Sequence, residues 1–377
     1  MDKSVSDSRI VAEKDQSVTV TLPELQYRPE LDGLRGVSIL LVYVHHLYHP
    51  FLPGGFFGVD IFFVLSGFLI TSLLVQEWNR KGSISLKNFY IRRALRLMPG
   101  VLLLVLLTGG FAFVFLSGKK AIQTYQGIWL TLSYASNWFY AFGSFSASNP
   151  LGITWSLAIE EQFYLTWPIM LYLALRLRLG HRWIICALGV AIFIIALHRK
   201  MLAGQGANIL RLYYASDTRA DSILIGCILG LSVSWSLLPH DNKRVEIYMR
   251  SLAAGAVIFL AYMVGTASWA DSMLYLNWGY TLIAVSAALI LNVLILWPPK
   301  LALLILKFTP LVWIGRVSYG LYLWHWPVRE FIYPKGKLPA SVVQLLAVVV
   351  LSLMLTTLSY YLVEKRFLGW KKRFSYK

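Results

Sequence analysis

Apolar runs too long for a soluble core dominate this sequence. Roughly 20 residues at 1.5 Å rise per residue cross the hydrocarbon layer of a bilayer. About ten runs reach or approach that length: 34–52, 57–76, 100–117, 153–175, 183–197, 220–236, 251–267, 278–296, 309–333 and 340–363. The 183–197 run is short for a crossing, and the aromatic stretch 125–142 reads as a re-entrant or interfacial piece. In lipid only helices and closed barrels satisfy every backbone N–H and C=O, and continuous apolar runs of this length specify helices. Composition points the same way: 57% of the residues are hydrophobic and 14% charged, where a soluble domain carries about a quarter charged. The expected fold is all-α, a polytopic transmembrane bundle of about ten spans.

Charge supplies the orientation. Lys and Arg crowd into the head of the chain, the 77–99 and 176–182 loops, the 237–250 and 297–307 segments, and the tail after Glu364. With Arg35 these alternate segments hold about 25 of the 35 basic residues, which the positive-inside rule makes cytoplasmic. Ten spans then put both termini in the cytoplasm. The first thirty residues lack an apolar h-region, so residues 1–28 read as a polar cytoplasmic tail and the first span as an uncleaved anchor. Residues 29–366 form the membrane domain and 367–377 a basic cytoplasmic tail. A net charge of +17 spread along membrane edges is not the clustered patch that grips nucleic acid. Cys186 and Cys227 sit in apolar runs as small hydrophobes. No metal-ligand spacing is visible, and no metal is expected.

Ionisable groups inside spans are costly and are candidates for function. Arg35 and His46 lie eleven residues apart on the first span, on one face to within about 20° and roughly 16 Å apart along the axis. That spacing suits a ligand with an anionic end at the cytoplasmic edge and a reactive end deeper in the membrane. Asp60 opens the second span, where a lone carboxylate needs a partner, and Ser66-Gly67 follows, small enough for close helix packing. Arg93 and Arg96 share a helical face at i,i+3 and can grip phosphates; their other reading is topology-setting charge. Glu160 and Tyr164 share a face at i,i+4, whereas Glu161 points elsewhere, toward solvent. Arg219 with Asp221 reads as a structural ion pair. Tyr322 and His325 lie in an aromatic run, where His325 serves either as a site residue or as a buried hydrogen-bonder holding the bundle.

These residues, in this order, resemble the acyltransferase-3 family of membrane acyltransferases. The resemblance runs from Pro29-Glu30-Leu31-Asp32-Gly33-Leu34-Arg35-Gly36 to Tyr360-Tyr361-Leu362-Val363-Glu364-Lys365. It is carried by Arg35 with His46, Phe57-Gly58-Val59-Asp60 leading to Ser66-Gly67-Phe68, Arg93-Ala94-Leu95-Arg96, and Trp155-Ser156-Leu157 with Glu160, Gln162 and Tyr164. Thr218-Arg219-Ala220-Asp221 and the stretch from Tyr319 to His325 continue it. Members of that family O-acylate surface polysaccharides, nodulation factors, peptidoglycan or macrolides. The resemblance therefore implies a multi-pass protein of a bacterial-type cytoplasmic (inner) membrane that modifies cell-envelope polysaccharide. It implies a cytoplasmic acyl-CoA donor, most simply acetyl-CoA, and an outer-face carbohydrate or glycolipid acceptor. Some relatives carry a hydrolase-like extracytoplasmic domain after the last span. This chain ends soon after Glu364, so acceptor recognition is expected from the membrane domain, its loops or another protein.

The expected chemistry follows. His46 acts as general base for the acceptor hydroxyl or as a nucleophile carrying the acyl group, and the sequence leaves both open. Glu160 or Asp60 orients its ring, as a carboxylate does in a triad. Arg35, Arg93 and Arg96 bind the phosphates of coenzyme A. Ser66, Tyr164, Arg219, Asp221, Tyr322 and His325 support substrate or structure. A transporter or flippase of a lipid-linked sugar is the competing reading, because intramembrane Arg, Glu and His line transport paths as readily as active sites.

Overall fold

In the computed structural model, residues 27–143, 149–239, 241–268, 270–333 and 338–374 are described. The polar tail read at 1–28 falls outside the described residues up to position 26, and the basic tail does so from 375 onward. The apolar runs become helices, and no strand occurs among the described residues. In chain order the first are α1 (Pro29–Leu47), α2 (Gly58–Lys81), α3 (Leu86–Phe115), α4 (Gly118–Leu132), α5 (Ser136–Ala141) and α6 (Thr154–Arg176). Next come α7 (His181–Gly204), α8 (Ile209–Tyr214), α9 (Ser216–Ser234), α10 (Lys243–Thr266), α11 (Ser272–Leu276) and α12 (Gly279–Leu296). The last are α13 (Lys300–Leu306), α14 (Thr309–Arg316), α15 (Ser318–Ile332), α16 (Val342–Leu358) and α17 (Lys365–Lys371), with a π-helical turn at Ser359–Glu364 joining the final two.

Local signals set the helix ends. Pro29 opens α1 where a missing N–H costs nothing, and Glu30 and Asp32 sit favourably in its first turn. Gly82 stops α2 in the left-handed conformation, φ +64°. Ser85 then caps α3 by accepting from the Asn88 N–H.

Six helical segments among the described residues are long and apolar enough to cross a membrane: Gly55–Lys81, Leu86–Phe115, His181–Gly204, Lys243–Thr266, Gly279–Leu296 and Val342–Lys371. Their outer faces are apolar and uncovered, with Phe113 82% and Val343 74% exposed, the surface that lipid solvates. Two of the ten runs, and the 125–142 stretch beside them, differ from expectation. The 183–197 run, read as short, belongs to a helix of 24 residues, because His181 and Arg182 at its start and His198 to Lys200 near its end continue the helix beyond the apolar window. The 309–333 run is broken at Val317 into α14 and α15. The 125–142 stretch is divided between α4 and α5.

Helices α2 and α9 approach closely over an extensive contact, and small residues make that possible. A Cβ on Gly67 would run into the carbonyl of Ile223, and one on Gly226 into the carbonyl of Val64. Gly67 therefore does the packing read for the Ser66-Gly67 pair, which leaves Ser66 turned the other way, onto the wall of a cavity. Helix α1 runs beside α14 and α15, and its Tyr43 hydroxyl reaches Ser352 Oγ of α16 at 2.6 Å.

Candidate acyl-transfer site

Helices α1, α2, α3, α6 and α15 enclose a cavity of about 180 Å³. Its walls are apolar where α2 contributes Phe62, Phe63, Leu65, Leu69, Ile70 and Leu73. Its polar lining brings together Arg35, Ser66, Arg93, Arg96, Glu160, Tyr164 and Tyr322. Of these, Glu160 was read as catalytic, Arg35, Arg93 and Arg96 as donor-binding, and Ser66, Tyr164 and Tyr322 as support. Among the lining residues three guanidiniums face a single carboxylate, so the chamber carries a net positive charge suited to an anion.

The arginines are held differently. Arg35 Nη2 donates to Ser318 Oγ at 3.1 Å, and its guanidinium lies 5.9 Å from the Phe62 ring centre. Arg93 sits over the Tyr164 ring at 4.9 Å. Neither Arg93 nor Arg96 hydrogen-bonds or ion-pairs with another described residue. Their neighbour Arg92 turns away, donating to the Phe374 carbonyl at 2.8 Å and lying 3.6 Å from Glu77. Sequence spacing alone picks out the 93/96 pair; the tertiary fold adds that Arg92 is committed elsewhere.

A hydroxyl chain crosses the cavity wall. Tyr164 donates to Ser66 Oγ at 3.0 Å, and Ser66 donates to Glu160 Oε1. Glu160 is thus engaged with Ser66 and does not orient His46. On the far wall Tyr322 donates to the Ile153 carbonyl at 3.0 Å, and Ser156 donates to the Tyr322 oxygen at 2.6 Å. Glu161, read as pointing to solvent, is half-buried.

His46 occupies the other end of α1. Its Nδ1 lies 2.9 Å from Nε2 of His325, whose own Nδ1 lies 2.9 Å from the Leu321 carbonyl. The two ring planes lie within 17° of each other, edge to edge along that bond with centres 5.1 Å apart, and Trp326 meets His46 edge-on at 4.8 Å. Arg35 and His46 therefore both reach α15, at Ser318 and His325 respectively, as residues on one helical face should. His45 points away and bonds the Leu52 carbonyl at 3.0 Å.

Two pairings depart from the sequence reading. Arg219 does not pair with Asp221: residues two apart on a helix do not face each other. Instead Arg219 Nη2 reaches both oxygens of Asp60, at 2.9 and 3.0 Å, while Asp221 pairs with Arg199 at 2.9 Å. Ser222 also donates to Asp60 at 3.0 Å, and Tyr280 lies 3.9 Å from the Arg219 guanidinium. Asp60 is thereby neutralised in the α2–α9 core, absent from the cavity lining and not the orienter of the imidazole. The sequence reading passed over Arg199, since it lies just beyond a span read as ending at 197. Ser156, within the Trp155-Ser156-Leu157 motif, and Ser318 were given no role of their own, since each reads along the sequence as a small polar residue at a helix start.

The sequence profile of the acyltransferase-3 family, described as an acyltransferase domain, matches residues 28–363. The chain belongs to the acyltransferase-3 family. It is similar to a putative peptidoglycan O-acetyltransferase of Bacillus subtilis, 34% identical over 353 residues, covering 90% of this chain and 55% of the relative. It is also 34% identical over 317 residues to a peptidoglycan O-acetyltransferase of Listeria monocytogenes, covering 82% of this chain and 50% of the relative. A Staphylococcus aureus O-acetyltransferase is 34% identical over 354 residues, covering 90% and 57%. The chain thus spans about half the length of these curated relatives. No solved structure matches it.

Proposed function

We propose that this chain is the membrane part of an O-acyltransferase. It takes acetyl from a cytoplasmic acyl-CoA and delivers it to a carbohydrate hydroxyl on the outer face, with peptidoglycan, which two of the relatives' names specify, as the acceptor class. The observation that carries the reading is the layout of α1: a cavity with three arginines at Arg35 and an imidazole at His46, three turns further on. Phosphates of the donor bind Arg35, Arg93 and Arg96, whose fork geometry suits them, and the apolar wall from α2 takes the thioester arm. His46 removes the proton of the acceptor hydroxyl as its oxygen bonds the acyl carbon. The C–S bond then breaks, and the leaving thiolate takes from His46 the proton that came from the acceptor hydroxyl. The nucleophilic alternative, an acyl-imidazole formed on the same nitrogen, uses the same residues. The apolar arm and the basic grip fit an acyl-CoA; no resident metal is needed for this transfer.

The same reading includes ten spans in a bacterial-type inner membrane, with both termini cytoplasmic. The six apolar segments are joined by α1, α6, α9 and the α14–α15 pair. Helices α1, α6 and α9 are less apolar than those six because they carry the ionisable residues described above, and α14 and α15 are individually short.

The test is purified protein in nanodiscs with acetyl-CoA radiolabelled on the acetyl group and a muropeptide acceptor. Label should move to the glycan with release of free coenzyme A. Intact acceptor together with movement of a lipid-linked sugar across a sealed vesicle would replace this reading with the transporter.

A further inference from the structure

We infer that His325 is a positioning residue that sets the tautomer of His46, so that a neutral imidazole stands where hydrolase triads place a carboxylate; this rests on the proposed role of His46.

Proton accounting on three atoms leads there. The Leu321 carbonyl has no proton to give, so the His325 Nδ1 that lies 2.9 Å from it must carry one. His325 is 1% exposed and boxed in by the rings of Tyr43 at 5.7 Å and Tyr322 at 5.8 Å. A second proton on this ring would place a charge in a site closed off from solvent, which costs several kcal/mol or more. The ring is therefore neutral, and its Nε2 presents a lone pair. That lone pair lies 2.9 Å from His46 Nδ1, a separation that holds one proton between two nitrogens, so Nδ1 of His46 is the donor. In neutral His46 the remaining nitrogen, Nε2, is then the basic one, the atom that either a general base or a nucleophile must present.

The arrangement persists through the reaction. When Nε2 takes the acceptor hydroxyl's proton, the charge on His46 is shared with Nδ1–H, which still donates to His325. No second proton moves onto His325, and the proton on Nε2 leaves with the thiolate. The hydrogen bond to His325 and the packing of Trp326 against His46 hold the ring against rotation, so the basic nitrogen keeps its direction. An apolar residue at 325 would remove the acceptor, and His46 would distribute its single proton over both nitrogens. A glutamine places a carbonyl oxygen near the former Nε2 and restores an acceptor.

The experiment is nitrogen-15 NMR of histidine-labelled protein in nanodiscs, the His46 signals assigned by their loss in His46→Gln. The wild type should show a protonated Nδ1 and an unprotonated Nε2 at His46, His325→Leu a mixture of the two tautomers, and His325→Gln the wild-type pattern. In the transfer assay, His325→Leu should lower kcat roughly 10²-fold with the donor KM unchanged, and His325→Gln should recover most of it. A protonated Nε2 at His46 in the wild type, or an unchanged tautomer and unchanged kcat in His325→Leu, overturns the inference. Full transfer by His46→Ala would instead overturn the proposed role of His46, whichever tautomer the wild-type spectrum shows.

Discussion

Removing the charge of Asp60 tests whether the α2–α9 contact is held by a buried ion pair or whether Asp60 belongs to the chemistry. Asp60, Arg219 and Ser222 are all fully buried. The carboxylate accepts two hydrogen bonds from Arg219 Nη2 and one from Ser222. Among the described residues Arg219 Nε and Nη1 have no hydrogen-bond partner, and Asp60 supplies the hydrogen bonds that hold this guanidinium. Asp60→Leu therefore leaves a guanidinium inside the bundle whose remaining support is the π faces of Tyr280 and Tyr213. Breaking a buried pair on one side costs about 3–5 kcal/mol. The two charge-assisted bonds to Arg219, at about 1.5–3 kcal/mol each, give a loss of the same size. Adding Arg219→Met removes the stranded charge, so the double variant should be more stable than Asp60→Leu alone, with a coupling of about 2–3 kcal/mol. Reversible unfolding in mixed micelles measures all four corners of the cycle. Asp60→Leu costing under about 1 kcal/mol would refute the pairing argument, as would additive single changes. The double variant should also regain acyl transfer with stability; a stable but inactive double variant would return Asp60 to the catalytic group.

Other outcomes follow from the site. Arg93→Ala and Arg96→Ala should each weaken acetyl-CoA binding roughly 10- to 150-fold in titration calorimetry, the equivalent of one lost charged hydrogen bond. Arg92→Ala should leave donor affinity unchanged, since Arg92 holds the Phe374 carbonyl. His46→Ala should lower transfer by about 10²–10⁴-fold while donor binding stays intact, and His45→Ala, which loses a bond to the Leu52 carbonyl, should be far milder; the reverse order would move the reactive imidazole to His45. Gly226→Leu should lower the yield of folded protein, because its side chain would meet the backbone of Val64; a normal yield would show that α2 and α9 can separate. Reporter fusions after Arg96 and at the chain's last residue should both signal cytoplasm, and an outer-face signal from either would overturn the ten-span topology.

Much of this molecule is readable along one dimension. Apolar run length decides that the chain is helical and lives in lipid, because an unpaired backbone has no alternative there. Helical periodicity puts Arg35 and His46 on one face, Arg93 beside Arg96, and Glu160 beside Tyr164, since residues three, four and eleven apart fall into register at 3.6 per turn. Those are local facts, and the fold keeps them. Partners between helices are another matter. That Asp60 answers Arg219, Asp221 answers Arg199, Ser66 answers Glu160 and His325 answers His46 depends on how helices distant in sequence are turned against one another. Small residues decide part of that rotation, as Gly67 and Gly226 do by letting α2 sink against α9 and leaving Ser66 on the cavity side. The sequence by itself determined which ionisable residues had to be sheltered from lipid. Only the tertiary structure decided which of them neutralise each other in the core and which line a chamber, because a buried charge is stabilised by whatever lies across the helix interface.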